Sequence, residues 1–294
     1  MQASILIVSK NRKEELERTL LILEKIIDPE LHEILVFLDG CTDNSFVLKD
    51  KFERVKWESS KKSIGASGAR HFLYPKAKGQ FLIGLDDDAH PLFEDFILRT
   101  LNIFAKYPNV GIVAFEEIKG IYNSDEDALR ESKAQEKEYF TNEFIGCGFA
   151  IRKEVYETIN GFPVWIDIYG EESCVSMEVL AKGYDIIYSN KVKVNHRVNI
   201  EERKLKRQNY FRFGKQLKNT TYYYLVYYPF PLVSILKLYG HNFIKYGLMD
   251  FTYFKIFVNT IIEVIKNVPK VISYRNPMNK SIIIKMRKLS PLKF

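Results

Sequence analysis

Cysteine is scarce: the 294-residue chain has three, Cys41, Cys147 and Cys174, widely spaced and without a CxxC pair. An odd, scattered set argues against a disulfide framework or a zinc ribbon and suits a reducing compartment. Glycine is missing from the amino-terminal segment, where the first is Gly40, and the first apolar run is followed by "SKNRKEEL". Neither GxGxxG nor GxxxxGK[ST] stands there, which excludes the dinucleotide and P-loop turns and the nucleotide chemistry they serve. The opening "MQASILIVSKNR" carries no basic leader and no cleavage site and reads as a strand, so the expectation is a cytoplasmic protein without a signal peptide. Long hydrophobic runs are lacking as well. After residue 220 the apolar segments are broken by Pro229, Pro231, Lys237, Lys245, Lys255 and Glu263, which argues against a membrane span and leaves surface contact open.

What is present describes a folded protein, 46% hydrophobic and 28% charged. The net charge of +7 points to an acidic partner, whether a phosphorylated small molecule, an anionic membrane surface or nucleic acid. Residues 4–9, 33–38, 55–58 and 81–85 read as strands, with helices predicted over 14–27 and 66–74. Pro91 is expected in the first turn of a further helix whose apolar Phe93, Phe96, Ile97, Leu101 and Phe104 have helical spacing. A strand follows at 110–115, then a polar segment over 117–142, expected as a mobile loop or a short exposed helix. From Tyr169 the order is loop, helix, strand, strand, with Gly183 as the helix stop. This alternation implies an α/β fold with a mostly parallel sheet flanked by helices. Near residue 200 the character changes to a basic, aromatic-rich helical extension over 201–294, with a break expected at 267–279 around Pro269 and Pro277.

The chemistry concentrates where apolar runs end in acids. In "FLIGLDDDAHP" the chain delivers Asp86, Asp87 and Asp88 to the edge of a core, where adjacent carboxylates repel. Alternation along an extended segment lets Asp86 and Asp88 share a face while Asp87 points back. Two such carboxylates suit Mg²⁺ or Mn²⁺; the competing reading is solvated caps at the start of the next helix. "FLDGCTDNS" repeats the design with Asp39, Asp43 and Asn44, or is an ordinary Asp-Gly turn. "SIGASGARHF" places Gly65, Gly68 and Arg70 at a helix start, a phosphate cradle or a plain loop with a surface arginine.

In their order these motifs resemble a family 2 glycosyltransferase of the GT-A fold over residues 3 to about 200. "SILIVSKNR" is similar to the family's opening strand and nucleotide-facing loop (Ser9, Asn11, Arg12), and "LDGCTDNS" to its "DDGSTDNT" turn, with Asp39 at the uracil or ribose end and Asp43 nearby. "IGASGARHF" resembles "NxGxxxARN", which brings Gly65 and Arg70 to the donor and puts His71 where Asn is usual. "LDDDAHP" matches the DxD region, with Asp86 and Asp88 as the aligned acids, Asp88 as the direct metal ligand and Asp87 beside the donor. "GCGFAIRKEVYETINGF" resembles the acceptor-side segment. "YGEESCVSMEVLAKGYDI" resembles the block carrying the catalytic base, with Glu172 as base and Glu171 in reserve, and with Cys174 where a second acid is common. "VKVNH" ends like the late strand that brings a histidine, here His196, to the metal or diphosphate.

The resemblance implies a donor-binding half (1–100), an acceptor and catalytic half (101–200), and inverting transfer from a nucleoside diphosphate sugar, with UDP as the expected nucleotide. It implies Mn²⁺ or Mg²⁺ as cofactor and a hydroxyl of a glycan or lipid-linked molecule as acceptor, in cell-envelope polysaccharide assembly. Nucleic acid is not expected as a partner. The alternatives are an inactive sugar-nucleotide or glycan-binding scaffold of the same fold and, more weakly, a sugar-phosphate nucleotidyltransferase, which normally opens with a glycine-rich loop. Arg203, Lys204, Lys206, Arg207, Arg212, Lys215 and Lys218 ahead of "YYYLVYYPFPLVSILKLY" read either as peripheral contact with the inner face of a membrane or as helices packed on the catalytic domain or on a second subunit of a homo-oligomer.

Overall fold

The computed structural model describes residues 1–132, 135–199 and 208–292. Strands β1 (Ala3–Ser9), β2 (His32–Asp39), β3 (Lys56–Ser60) and β4 (Phe81–Asp86) alternate with helices α1 (Lys13–Ile26), α2 (Leu48–Lys51) and α3 (Gly65–Leu73). The chain continues through β5 (Ala89–Pro91), α4 (Phe96–Lys106), β6 (Val110–Lys119), α5 (Asp125–Arg130), β7 (Glu138–Thr141), β8 (Gly148–Arg152), α6 (Lys153–Tyr156), α7 (Glu171–Ala181) and β9 (Asp185–His196). The nine strands form one sheet in the order β3-β2-β1-β4-β8-β6-β9-β5, with β7 also pairing β9. The pairs among β1 to β4 and the β6–β9 pair are parallel, while β8, β5 and β7 run antiparallel to their neighbours. The expected α/β architecture is present.

Near-continuous apolar strands such as Ile5, Leu6 and Ile7, or Val36, Phe37 and Leu38, are buried on both faces, as a helix-covered parallel sheet requires. Register sets Ser9 opposite Leu38 and Val8 opposite Asp86, so the carboxyl ends of β1, β2 and β4 finish along one edge. In open parallel sheets that edge is where ligands bind.

Two expectations fail locally. Pro91 closes β5 instead of opening a helix, and α4 starts at Phe96. β5 lies at the end of the sheet and pairs only β9, and an outermost strand tolerates a residue that cannot donate to the ladder. In the segment over 117–142 the short helix α5 meets expectation, but β6 runs on to Lys119 and β7 adds a strand.

Beyond residue 207 come α8 (Gln208–Tyr227), α9 (Pro231–Asn242), a single π turn at Phe243–Gly247, α10 (Phe251–Ile272) and α11 (Lys280–Lys288). Arg203, Lys204, Lys206 and Arg207 of the expected basic stretch lie outside the described residues. Part of the tyrosine band is inside the protein: Tyr222 and Tyr227 are buried with Ile166, Cys174 and Met177 in a core shared by α7 and the extension, and Tyr223, Tyr224 and Tyr228 are half-buried. α10 runs through Pro269, so the chain break begins after Ile272.

Candidate active site

An open cleft of about 1550 Å³ lies along the carboxyl edge of the parallel strands. Asp39, Asp86, Asp87 and Asp88 line it on one side, and Gly146, Tyr169, Glu172 and the start of α8 on the other.

The three aspartates tolerate one another because each meets a cation or a donor. Ser9 Oγ donates to Asp87 Oδ2 at 2.7 Å, and Arg12 spans Asp87 (3.1 Å) and Asp88 (2.6 Å) with its two Nη atoms. Arg70 Nη2 donates to Asp86 Oδ1 at 2.9 Å. Burial pushes the Asp87 carboxyl up to about 7 against the pull of Arg12. Burial acts the same way on Asp88, but His196 and Arg12 outweigh it and hold that carboxyl well below the usual carboxylate range.

The ligand atoms of Asp86, Asp88 and His196 lie within 4.8 Å of one another. The buried Asp88 Oδ1 is 3.2 Å from His196 Nε2 and has no well-directed hydrogen bond. Two carboxylates and an imidazole fit a divalent cation, which would displace the Nε2 proton that His196 otherwise turns toward Asp88.

Behind His196 stands Glu117, which sequence reading assigned to a polar loop. Its Oε1 is 2.5 Å from His196 Nδ1, and its other oxygen is 3.1 Å from Lys119. Burial alone would lower the pKa of His196, but Asp88, Cys147 and Glu117 raise it to about 12. Glu117, Cys147 and His196 also bring their ligand atoms within 4.8 Å. Arg197, likewise unanticipated, is buried and reaches Glu15 at 2.7 Å and Thr19 at 2.6 Å, directly behind the Asp87 carbonyl.

On the facing wall Glu171 and Glu172 open α7 after Gly170, whose φ of 103° suits glycine. Glu171 is fully buried against Arg70 at 3.2 Å, whereas the Glu172 side chain retains 22% exposure, lines the cleft and sits 3.6 Å from the same guanidinium. Burial and like charge raise both carboxyls, with Arg70 opposing. Arg70 thus ties the end of β4 to the start of α7. Gly146 permits this approach, since a Cβ there would fall 2.6 Å from Glu172 Oε1 and 2.7 Å from Arg70 Nη2.

The remaining expected donor-side residues hold loops in place. Asp39 accepts from Ser63 Oγ (2.6 Å), Ile64 N (2.7 Å) and Gly65 N (3.1 Å), which fixes the start of α3, and it still borders the cleft. Gly65 has φ 82° and a Cβ there would meet the Asp167 carbonyl at 2.6 Å. Asn11, at φ 53°, pins the turn after β2 through Thr42 N at 2.7 Å. Asp43 caps the next turn through Ser45 N (3.1 Å) and Oγ (2.6 Å).

Comparison with known proteins agrees with this geometry. No curated protein sequence matches the chain, but solved structures do. Among them are Staphylococcus aureus TarS 1–349 with UDP-GlcNAc (TM-score 0.59, 12% identity, 94% of this chain and 84% of that one) and the mannosyltransferase PcManGT of Pyrobaculum calidifontis with GDP-Man and Mn²⁺ (0.58, 17%, 99% and 76%). GalNAc-T7 with UDP, GalNAc and Mn²⁺ aligns at TM-score 0.54 and 20% identity, over 68% of this chain, which spans 44% of that one. Likeness at these identities establishes the GT-A fold. Residues 4–159 match the glycosyl transferase family 2 profile; more than half of the sequence is covered, and the chain belongs to that family.

Proposed function

We propose that the protein is an inverting glycosyltransferase that moves a sugar from a nucleoside diphosphate donor, UDP first among them, to a hydroxyl of a glycan or lipid-linked acceptor. The observation that carries this reading is the pairing, across one cleft, of the Asp86, Asp88 and His196 cluster with the accessible Glu172. The complexes of similar structures with UDP, UDP-GlcNAc and GDP-Man support the donor class.

Asp86, Asp88 and His196 would hold the cation, Mn²⁺ or Mg²⁺, which when bound supplies Lewis acidity to the leaving diphosphate. Arg12 keeps Asp87 and Asp88 aligned by ion pairing to both. The Glu172 carboxylate accepts the proton of the acceptor hydroxyl as that oxygen attacks the anomeric carbon from the side opposite the diphosphate. Glu172 supports this role better than Glu171 because its side chain borders the cleft. The inactive scaffold is the less supported alternative, since a glutamate here retains a carboxylate with access to the cleft.

Calorimetric titration with UDP, GDP and dTDP, each with Mn²⁺ and with EDTA, tests the reading. The expected result is metal-dependent binding of one nucleotide, abolished in Asp88→Ala and in the near-isosteric Asp88→Asn while both variants remain folded, with a lower melting temperature because Arg12 and His196 lose a buried partner. Binding that survives EDTA and both substitutions would remove the acidic cluster from the donor site.

A further inference from the structure

The surface of the extension is unusual for a soluble face. Leu232, Leu236, Ile244, Leu248, Met249 and Phe251 are between 65% and 81% exposed, and all fall in the stretch from α9 to the first turn of α10. Along α10 the exposed Phe251, Phe254, Val258, Ile262 and Ile265 recur at steps of three and four, so one stripe faces out while Phe257, Thr260 and Val264 face inward. Patches of this kind mark contact with another surface.

Charge selects the surface. The charged residues from Pro229 to Ile262 are Lys237, Lys245, Asp250 and Lys255. Asp250 is turned onto its own helix, accepting from Thr252 N at 2.6 Å and from Tyr210 Oη at 2.6 Å. The three lysines are exposed and have no carboxylate partner among the described residues. A second copy docked by the same face would set these lysines against one another, whereas anionic lipid headgroups complement them and accept the apolar side chains between. No described helix is long and apolar enough to cross a membrane. A groove of about 410 Å³ between α8, α9 and α10, bordered by Leu238, Tyr246 and Tyr253, shares Arg212, Gln216 and Thr220 with the catalytic cleft.

We propose that α9, the π turn and α10 dock in the interface of an anionic bilayer, without spanning it, and set the mouth of the groove against the lipid. Docking rests on this surface alone; that it delivers a lipid-borne acceptor to the cleft rests on the glycosyl-transfer reading.

The test is flotation of the full chain with vesicles of phosphatidylcholine alone and of equal parts phosphatidylcholine and phosphatidylglycerol, beside light scattering without vesicles. The parent is expected to float with the mixed vesicles only. The double variant Leu236→Glu, Ile244→Glu should bind them at least about tenfold more weakly, and Lys237→Ser, Lys245→Ser should lose the preference for anionic lipid. Both variants should keep the parent's melting temperature and nucleotide titration. A parent that stays with the protein fraction, or a glutamate variant that floats as well as the parent, overturns the proposal. A parent that is dimeric and does not float, made monomeric by the glutamates, assigns the face to a second copy instead. Flotation is read without nucleotide, so loss of the donor-binding reading would leave its result standing.

Discussion

Among single residues, Glu171 and Glu172 share one guanidinium, that of Arg70. A base must be unprotonated to act, and both carboxyls are raised by burial and like charge. The carboxylate fraction therefore grows as pH rises above the ordinary carboxylate range, and the transfer rate is expected to climb with pH. Glu171→Gln should leave this rising limb in place, since the charges acting on Glu172 are those of Arg70 and Asp86. Glu172→Gln should keep nucleotide binding and reduce turnover by about 10²–10⁴-fold. A pH–rate profile of the parent and both variants distinguishes the two roles, and an active Glu172→Gln beside an inactive Glu171→Gln would exchange them. Glu117 acts one step back, holding Nδ1 of His196 and leaving Nε2 toward Asp88. Glu117→Gln is expected to weaken Mn²⁺ binding about 10- to 100-fold, read by titrating the free ion's paramagnetic resonance signal. Asp86 and Asp88 stand out in the sequence because the triplet ends an apolar run, whereas His196 comes to notice only through the resemblance of "VKVNH" to the family's late strand. Glu117 comes to notice by neither route, because "FEEIKG" has the polarity of a loop. Glu116 is paired with Lys193 at 2.6 Å and Glu117 with His196, so charges inside a strand are compensated by partners some 80 residues away that no local pattern shows.

At the scale of elements, local breaker rules lost to packing twice. Pro91 and Pro269 were both read as helix punctuation; one ends an outermost strand and the other sits within the last turns of α10. The missing amide of Pro269 deprives α10 of one intrahelical bond at an exposed position, which the buried Val264 and Val271 on the inner side tolerate. Pro269→Ala should therefore stabilise the protein, by up to about 3 kcal/mol, seen as a higher thermal midpoint with unchanged nucleotide binding. The segments α1, α3 and β1 to β4 agree with expectation to within a residue or two; in α1, β1, β2 and β4 most of the buried positions are apolar, whereas β3 has no buried residue. What α8 to α11 cover was not readable: alternating tyrosines and lysines look alike whether they face lipid, solvent or another helix.

Across the fold, the extension packs on the segment that carries α7 and β9. Asn219 Nδ2 donates to the carbonyls of Ile168 (2.7 Å) and Tyr169 (2.9 Å), and Lys215 pairs with Asp167, so α8 steadies the loop before α7. Lys285 reaches Asp185 at 2.9 Å, and Asn142 donates to the Met286 carbonyl at 2.9 Å. Removal of residues 201–294 would uncover the core around Tyr222, Cys174 and Met177. The remainder is expected to melt at lower temperature and to be cut by trypsin near α7, checked by mass spectrometry of the fragments. The chain's course adds a further consequence. Ser290 bridges to Thr141, Leu292 is buried in a core with Phe149 and Tyr188, and its amide donates to Glu143 on the cleft. During synthesis the strands emerge first, and Leu292, which covers one side of that core, is added only when residue 292 has left the ribosome. The edge of the cleft at Glu143 is thus among the last parts of the fold to be tied down.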